Sequence, residues 1–233
     1  FLLSLIYLVT FLTFILVFVI PEFIKVYRQA GITVNGFTLT IVNFSKFLTS
    51  NLSYIILILL LIIISLLFLY KKSKTFRKIT QIIGMKMPFF GNIIIYHEIT
   101  LFTKTFASLL KNSVYITSSM EILSNITSNE VYKDIIKETM DNIARGEKIS
   151  ASFLNKWCIP DVAYYMIVTG ESTGELGLMM EKVSSYYNDL HKSKVVNFKS
   201  FLEPIMIVIL ALIVGIILLA VVIPMFSLYT QIR

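Results

Sequence analysis

Cysteine is nearly absent. Cys158 stands alone in 233 residues, so no intrachain disulfide can form and no multi-cysteine metal site exists. Charge is scarce as well: Asp, Glu, Lys and Arg make up 15% of the chain, against about 25% in an ordinary soluble domain. There is no nucleotide-binding glycine loop, no GxSxG elbow and no HExxH pair, which removes the usual sequence grounds for an enzyme. The two histidines, His97 and His191, lie far apart in sequence without ligand-spaced partners. No RNA- or DNA-binding signature accompanies the net charge of +7, so nucleic acid is not an expected partner.

What is present is hydrophobic residue, 56% of the chain, gathered into three charge-free runs. Phe1–Pro21 gives 21 residues, Phe47–Tyr70 gives 24 and Pro204–Ile232 gives 29. About 20 apolar residues at 1.5 Å rise cover a hydrocarbon layer of roughly 30 Å. Backbone in lipid must satisfy its own hydrogen bonds, so each run is expected to be a helix. Ser4, Thr10, Thr13 and Ser65 can bond back to the preceding turn within such helices. The first run lacks the basic leader and small-residue cleavage site of a signal peptide. Phe1 is not methionine, and the chain is expected to begin inside a longer protein.

The charges mark the sides of the membrane. Residues 71–203 hold 17 of the 21 Lys and Arg and 13 of the 14 Asp and Glu, a local net of +4. Six bases and no acid lie between Lys71 and Lys86, and His191, Lys192, Lys194 and Lys199 precede the last run. The positive-inside bias puts these segments in the cytoplasm. The expected order is a transmembrane helix at 1–21, an external loop at 22–50, a second span at 51–70, a cytoplasmic domain at 71–203, a third span at 204–224 and an external tail at 225–233. Within the loop, Ile41, Val42, Phe44, Phe47 and Leu48 recur at helical spacing and predict a helix lying on the membrane surface.

The cytoplasmic segment is punctuated as helices. Leu101, Phe102, Thr105, Ala107, Leu109 and Leu110 form an apolar stripe. Thr127-Ser-Asn-Glu130 reads as a capping box, opening a helix that turns Val131, Ile135, Ile136 and Met140 inward. Gly146 stops that helix, Ser150 can cap a short one, and Pro160 suits the first turn of another running to Gly170. Ser172-Thr-Gly-Glu175 reads as a second capping box, starting a long helix through Met179, Val183 and Tyr186. Trp157, Tyr164 and Tyr165 read as core or interface packing, and Cys158 has no activating neighbour. The fold class is all-α: three transmembrane helices plus a cytoplasmic bundle of about six helices.

Val19-Ile20-Pro21-Glu22-Phe23 and Val222-Ile223-Pro224-Met225-Phe226 end the first and third runs alike. This suggests a duplication with a register near 203 residues, whose first cytoplasmic domain is expected upstream of Phe1.

Taken in order, these features resemble the type II secretion system protein F family, the platform proteins of type II secretion and type IV pilus assembly. The resemblance rests on Gly170-Glu171-Ser172-Thr173-Gly174-Glu175-Leu176, which is similar to the family's glycine-glutamate corner. Phe106-Ala-Ser-Leu-Leu110, Arg145-Gly146-Glu147 with Ser150, and Leu202-Glu203-Pro204 support it. Members normally carry two cytoplasmic domains, and one is found here. The resemblance implies a non-catalytic, multi-pass protein of the cytoplasmic (inner) membrane. It implies contacts with a cytoplasmic assembly ATPase, with pilin or pseudopilin subunits, with other inner-membrane assembly proteins and with further copies of itself. It implies no catalytic residue, cofactor or metal.

Gly170, Glu171, Thr173, Gly174, Glu175 and Leu176 therefore stand as either a structural corner or a partner interface, two readings that are compatible. A metal held by these carboxylates is disfavoured, because hard cations need several converging oxygens. Glu203 and Pro204 mark a membrane boundary or a hinge. A membrane transporter or channel subunit is the rival reading. Such proteins normally need ionisable groups inside their spans, and these spans hold none.

Overall fold

A computed structural model describes Lys25 and residues 36–231. The expected first span and the start of the external loop lie outside the described residues. Seven α-helices and one 3-10 helix, with no strand, make up the described residues. They are α1 Gly36–Lys72, α2 Lys74–Lys86, α3 Gly91–Lys111, α4 Ile116–Ile126, α5 Glu130–Ala144, the 3-10 helix Ile149–Phe153, α6 Asp161–Thr173 and α7 Leu176–Gln231. The chain divides into two units, Leu66–Ser200 on one hand and Phe1–Ser65 with Phe201–Arg233 on the other.

In the second of these units, α1 carries the isoleucine- and leucine-rich run with its side chains exposed from Ile56 through Ser65. Helix α1 has no break between residues 36 and 50 and the run that follows. The stretch expected to lie on the membrane surface is thus the beginning of the same helix, because no glycine or proline after Gly36 interrupts it. Helix α7 likewise passes through Pro204 and Pro224 and ends at Gln231. Among the described residues, three helical stretches are long and apolar enough to cross a membrane: Ser53–Lys72, Gly91–Lys111 and Leu176–Gly215.

The Gly91–Lys111 helix, α3, is read differently on packing grounds. It buries Ile99, Phe102, Thr103, Phe106 and Ala107 in the core of the Leu66–Ser200 unit. Its buried face follows the 3- and 4-residue spacing of a helix against other helices. Leu101, expected on that face, is exposed. The same core holds Met120 and Leu123 of α4, Val131, Tyr132, Ile135 and Ile136 of α5, Phe153 of the 3-10 helix, Ala163 and Ile167 of α6, and Leu176, Met180, Val183 and Tyr187 of α7. On α7 the inward residues are Met180 and Tyr187, one position on from the expected Met179 and Tyr186. Burial from Leu176 onward steps by four, three and four residues, and that frame excludes Tyr186.

Helix ends differ from the expected caps in an instructive way. Asn129, not Thr127, caps α5, its side chain accepting from Val131 N at 3.0 Å. Thr127 closes α4 instead. Glu130 is the first helical residue, and its carboxylate pairs with Arg77 of α2. Gly146 does stop α5. With φ +74 it lets its own N–H reach Ile143 O at 3.0 Å and the Glu147 N–H reach Asn142 O at 2.8 Å, the two bonds of a Schellman turn.

Candidate functional site

The corner between α6 and α7 is built by two glycines and one carboxylate. Gly174 caps α6 with φ +75, a left-handed conformation that costs other residues roughly 1–2 kcal/mol. Gly170 lies against the next helix: a Cβ there would sit 2.9 Å from Leu176 Cα and 3.0 Å from Met179 Cβ. The chain can fold back this tightly only without side chains at those points. Ser172 does not cap α7, as the capping-box reading expected. It lies inside α6, and its hydroxyl donates to Thr169 O at 2.9 Å, as does that of Thr173. Small hydroxyl side chains often bond back to a preceding turn in this way.

Glu171 reaches across to the 3-10 helix. Its Oε1 accepts from Ile149 N at 2.5 Å, and its Oε2 accepts from Ser150 N at 3.1 Å and from Ser150 Oγ at 2.6 Å. The first N–H groups of a helix have no partner within it, and a carboxylate satisfies them while matching their partial positive charge. Ser150, expected as a cap, is instead clamped by this carboxylate. The turn at Gly146 returns the chain toward α6, so the Arg145-Gly146-Glu147 segment and the glycine-glutamate corner join in one substructure. Asn142 Nδ2 donates to Ser152 Oγ at 2.8 Å and fixes the same short helix from the other side. Glu175 is exposed at the head of α7, where its carbonyl accepts from Met179 N at 3.1 Å.

A cleft of about 530 Å³ opens beside this corner, lined by Ala107, Leu110, Lys111, Ile116, Gly174, Glu175, Leu176, Gly177, Leu178 and Glu181. Gly177 allows α7 to approach α3 closely, since a Cβ there would meet Leu110 Cβ at 3.4 Å. Phe106-Ala-Ser-Leu-Leu110 and Gly170–Leu176 therefore converge, although about 60 residues separate them in the sequence. The floor is aliphatic, and one lysine and two glutamates are among its lining. Such a surface can seat an apolar anchor flanked by charges, which is recognition chemistry rather than group transfer. Leu202, Glu203 and Pro204 belong to the other unit, where α7 continues through them with Glu203 and Pro204 exposed. No helix end marks a hinge there.

The histidines are not apart in space. The rings of His97 on α3 and His191 on α7 lie 5.5 Å apart between centroids, beside Tyr96 and Tyr187 at 5.3 Å. No local spacing relates residues 97 and 191, so only the packing of α3 on α7 reveals the pair. Desolvation and then the neighbouring His97 lower the His191 pKa. Desolvation raises that of Glu98, opposed by a hydrogen bond from Asn129 and by His97. Burial pushes the Cys158 thiol up to about 11, which keeps it protonated and unreactive. Trp157, expected in packing, is about half exposed, with Lys86 Nζ 5.2 Å above its ring.

Residues 102–224 match the family model described as type II secretion system (T2SS), protein F. A type IV pilus assembly protein PilC of Pseudomonas aeruginosa is 27% identical over 214 residues, covering 92% of this chain and 57% of that protein. The PilC protein of Thermus thermophilus is 25% identical over 218 residues, 92% of this chain and 53% of the relative. The type II secretion system protein F of Xanthomonas campestris pv. campestris is 23% identical over 218 residues, 93% and 53% respectively. The chain spans about half the length of the curated relatives it matches. The family match covers more than half of the chain and takes in both the Phe106–Leu110 segment and the corner it meets, and this chain belongs to the type II secretion system protein F family.

Proposed function

We propose that this chain is a membrane platform of a type II secretion or type IV pilus-like assembly machine. It works without catalysis, holding residues 71–203 on the cytoplasmic face of the inner membrane and coupling a cytoplasmic ATPase to the insertion or extraction of pilin or pseudopilin subunits. It acts as a homo-oligomer among other inner-membrane assembly proteins. The observation that carries this reading is the family match over residues 102–224, together with relatives named for pilus assembly and for type II secretion. The cleft beside the glycine corner supports it, because an aliphatic floor with lysine and glutamate at its edge suits a protein segment better than a small reactive substrate.

Glu171 is engaged inside the bundle, so the partner-facing group of the corner is Glu175, with Lys111 across the cleft. The test is a charge reversal, Glu175→Arg, in the complete protein at normal membrane level. Filament or secretion output and co-purification of the ATPase are expected to fall at least several-fold, and a Lys111→Glu change is expected to do the same. Full output and recruitment in both variants would remove the cleft from the interface. Solute flux through liposomes holding the purified protein alone would instead favour a transporter.

A further inference from the structure

Helix α2 meets the bundle mainly through polar side chains, with Ile82 partly buried beside them. Arg77 pairs with Glu130, Lys78 Nζ lies 2.6 Å from Asp134 Oδ2, and Gln81 accepts from Glu130 N at 2.8 Å while donating to Ser128 O at 3.3 Å. Met85 is the one buried residue of α2. The side facing away carries Ile79 and Ile83, exposed at 50% and 56%. An amphipathic helix in a water-soluble bundle does the reverse, placing its apolar stripe on the core.

The apolar face continues into the turn. Met87 and Phe90 are about half exposed, and Phe89 is 71% exposed with φ +69. A left-handed backbone is costly for an aromatic residue. It is held by Phe90 N donating to Pro88 O and Gly91 N donating to Met87 O, both at 2.9 Å. Gly91 has no room for a side chain, because a Cβ would fall 2.2 Å from Met85 O. The turn is therefore a built feature that presents rings outward. Bases surround the face: Lys71, Lys72 and Lys74 at its start and Lys86 within it, with the half-exposed Trp157 beside Lys86.

The face is tethered at both ends to charge-free runs. Lys71 follows the Phe47–Tyr70 run directly. The Phe90 ring lies 4.5 Å from that of Phe198, which precedes Pro204 by six residues. Six residues span at most about 20 Å of chain.

We propose that α2 and the Met87–Phe90 turn lie on an anionic bilayer surface, with Ile79, Ile83, Met87 and Phe90 at the headgroup–acyl boundary and the flanking lysines on lipid phosphates. Apolar residues bordered by lysine and tryptophan form the pattern of an interfacial helix. This rests on the reading of residues 47–70 and 204–232 as membrane spans. The bundle is then pinned to the leaflet along α2 as well as by its two connections. Movement of α5, to which α2 is clamped, is transmitted to the membrane surface.

The test places a fluorescent NBD label on Ile79→Cys, Ile83→Cys and Met87→Cys in the full chain, in nanodiscs of phosphatidylcholine with or without phosphatidylglycerol. The unlabelled wild-type background is measured through Cys158. Ile62→Cys reports on the span, and Tyr115→Cys, on a highly exposed residue, reports on water. Spin-labelled lipid is expected to quench the α2 sites several-fold more than the Tyr115 site, and more strongly with phosphatidylglycerol. Quenching at Ile62→Cys with none at Ile79→Cys and Ile83→Cys overturns the proposal while leaving the spans intact. Absence of quenching at Ile62→Cys removes the membrane reading itself. Equal quenching in neutral lipid overturns the role of the lysines. Burial of the α2 sites only when two chains share a disc assigns the face to a second copy and overturns the proposal.

Discussion

Glu171 shows how one side chain can decide whether a turn exists. Three donors, two of them backbone N–H groups, converge on its carboxylate. Hydrogen bonds to a charged group contribute about 1.5–3 kcal/mol, and orphaned donors cost about 1–3 kcal/mol each. Glu171→Ala is therefore expected to loosen the Ile149–Phe153 turn by about 2–3 kcal/mol. Amide exchange at Ile149 and Ser150 reads this directly, since each 1.4 kcal/mol of local opening is about tenfold in rate; a rise of about 30- to 100-fold is expected. Glu171→Gln keeps one acceptor oxygen and loses the charge, so its effect falls between the two. Glu175→Ala is expected to leave those amides unchanged, because Glu175 is exposed on the other side of Gly174. Unaltered protection in Glu171→Ala would mean that the clamp contributes nothing in solution. The two glutamates look equivalent in the sequence, four residues apart, and their roles separate only when the chain folds. A substitution that removes both mixes a folding defect with an interface defect.

Between elements, the contact of α3 with α7 is expected to carry a pH response. His191 has its pKa lowered by burial and by His97. A lowered folded value means that the unfolded chain binds the proton more readily, so the stabilisation is present above the ordinary histidine value and is lost as pH falls through the folded one. Glu98 has the opposite sign: its raised value stabilises the fold at low pH, and that contribution is lost as pH rises through the folded value. His191→Gln is expected to narrow the drop in melting temperature between pH 7.5 and 5.5, measured on the purified full chain, whereas Glu98→Gln is expected to widen it. An identical pH dependence in wild type and His191→Gln would show that the pair is solvated. Neither residue is legible as a partner of the other in the sequence, since burial and proximity arise from α3 packing on α7. The all-α class was legible, because apolar periodicity, Gly146 and the charge-free runs are local signals, whereas the helices Lys74–Lys86 and Ile116–Ile126 were not among those expected. The frame of α7, the caps at Asn129 and Gly174 and the exposure of Trp157 were not, since each depends on which neighbour a helix finds. The corner residues were found as a motif, but only folding separates Glu171, turned into the bundle, from Glu175, turned out.

At the scale of the molecule, charge and hydropathy make one claim that a chemical label can test. Two stretches, Ser53–Lys72 and Leu176–Gly215, are apolar enough to cross a membrane and expose their apolar runs, whereas α3 turns a similar composition into a bundle core. The positive-inside bias predicts that residues 71–203 face the cytoplasm and that the start of α1 faces outward. Cys158 is buried and its thiol is held near 11, so the wild-type chain is expected to react poorly with maleimides. A single added cysteine therefore reports its own position. Tyr115→Cys, on one of the most exposed residues of the bundle, is expected to be labelled by a membrane-impermeant maleimide only after cells are permeabilised. Asn43→Cys, on the exposed side of the first turns of α1, is expected to react in intact cells. If both sites react in intact cells, the bundle lies outside and cannot meet a cytoplasmic ATPase. If neither reacts until permeabilisation, α1 does not cross, and the charge-free run from Phe47 to Tyr70 must be covered by protein instead of lipid. Labelling on opposite sides is the expected outcome, and it would put the Phe47–Tyr70 run across the bilayer, the condition on which the proposed platform role depends.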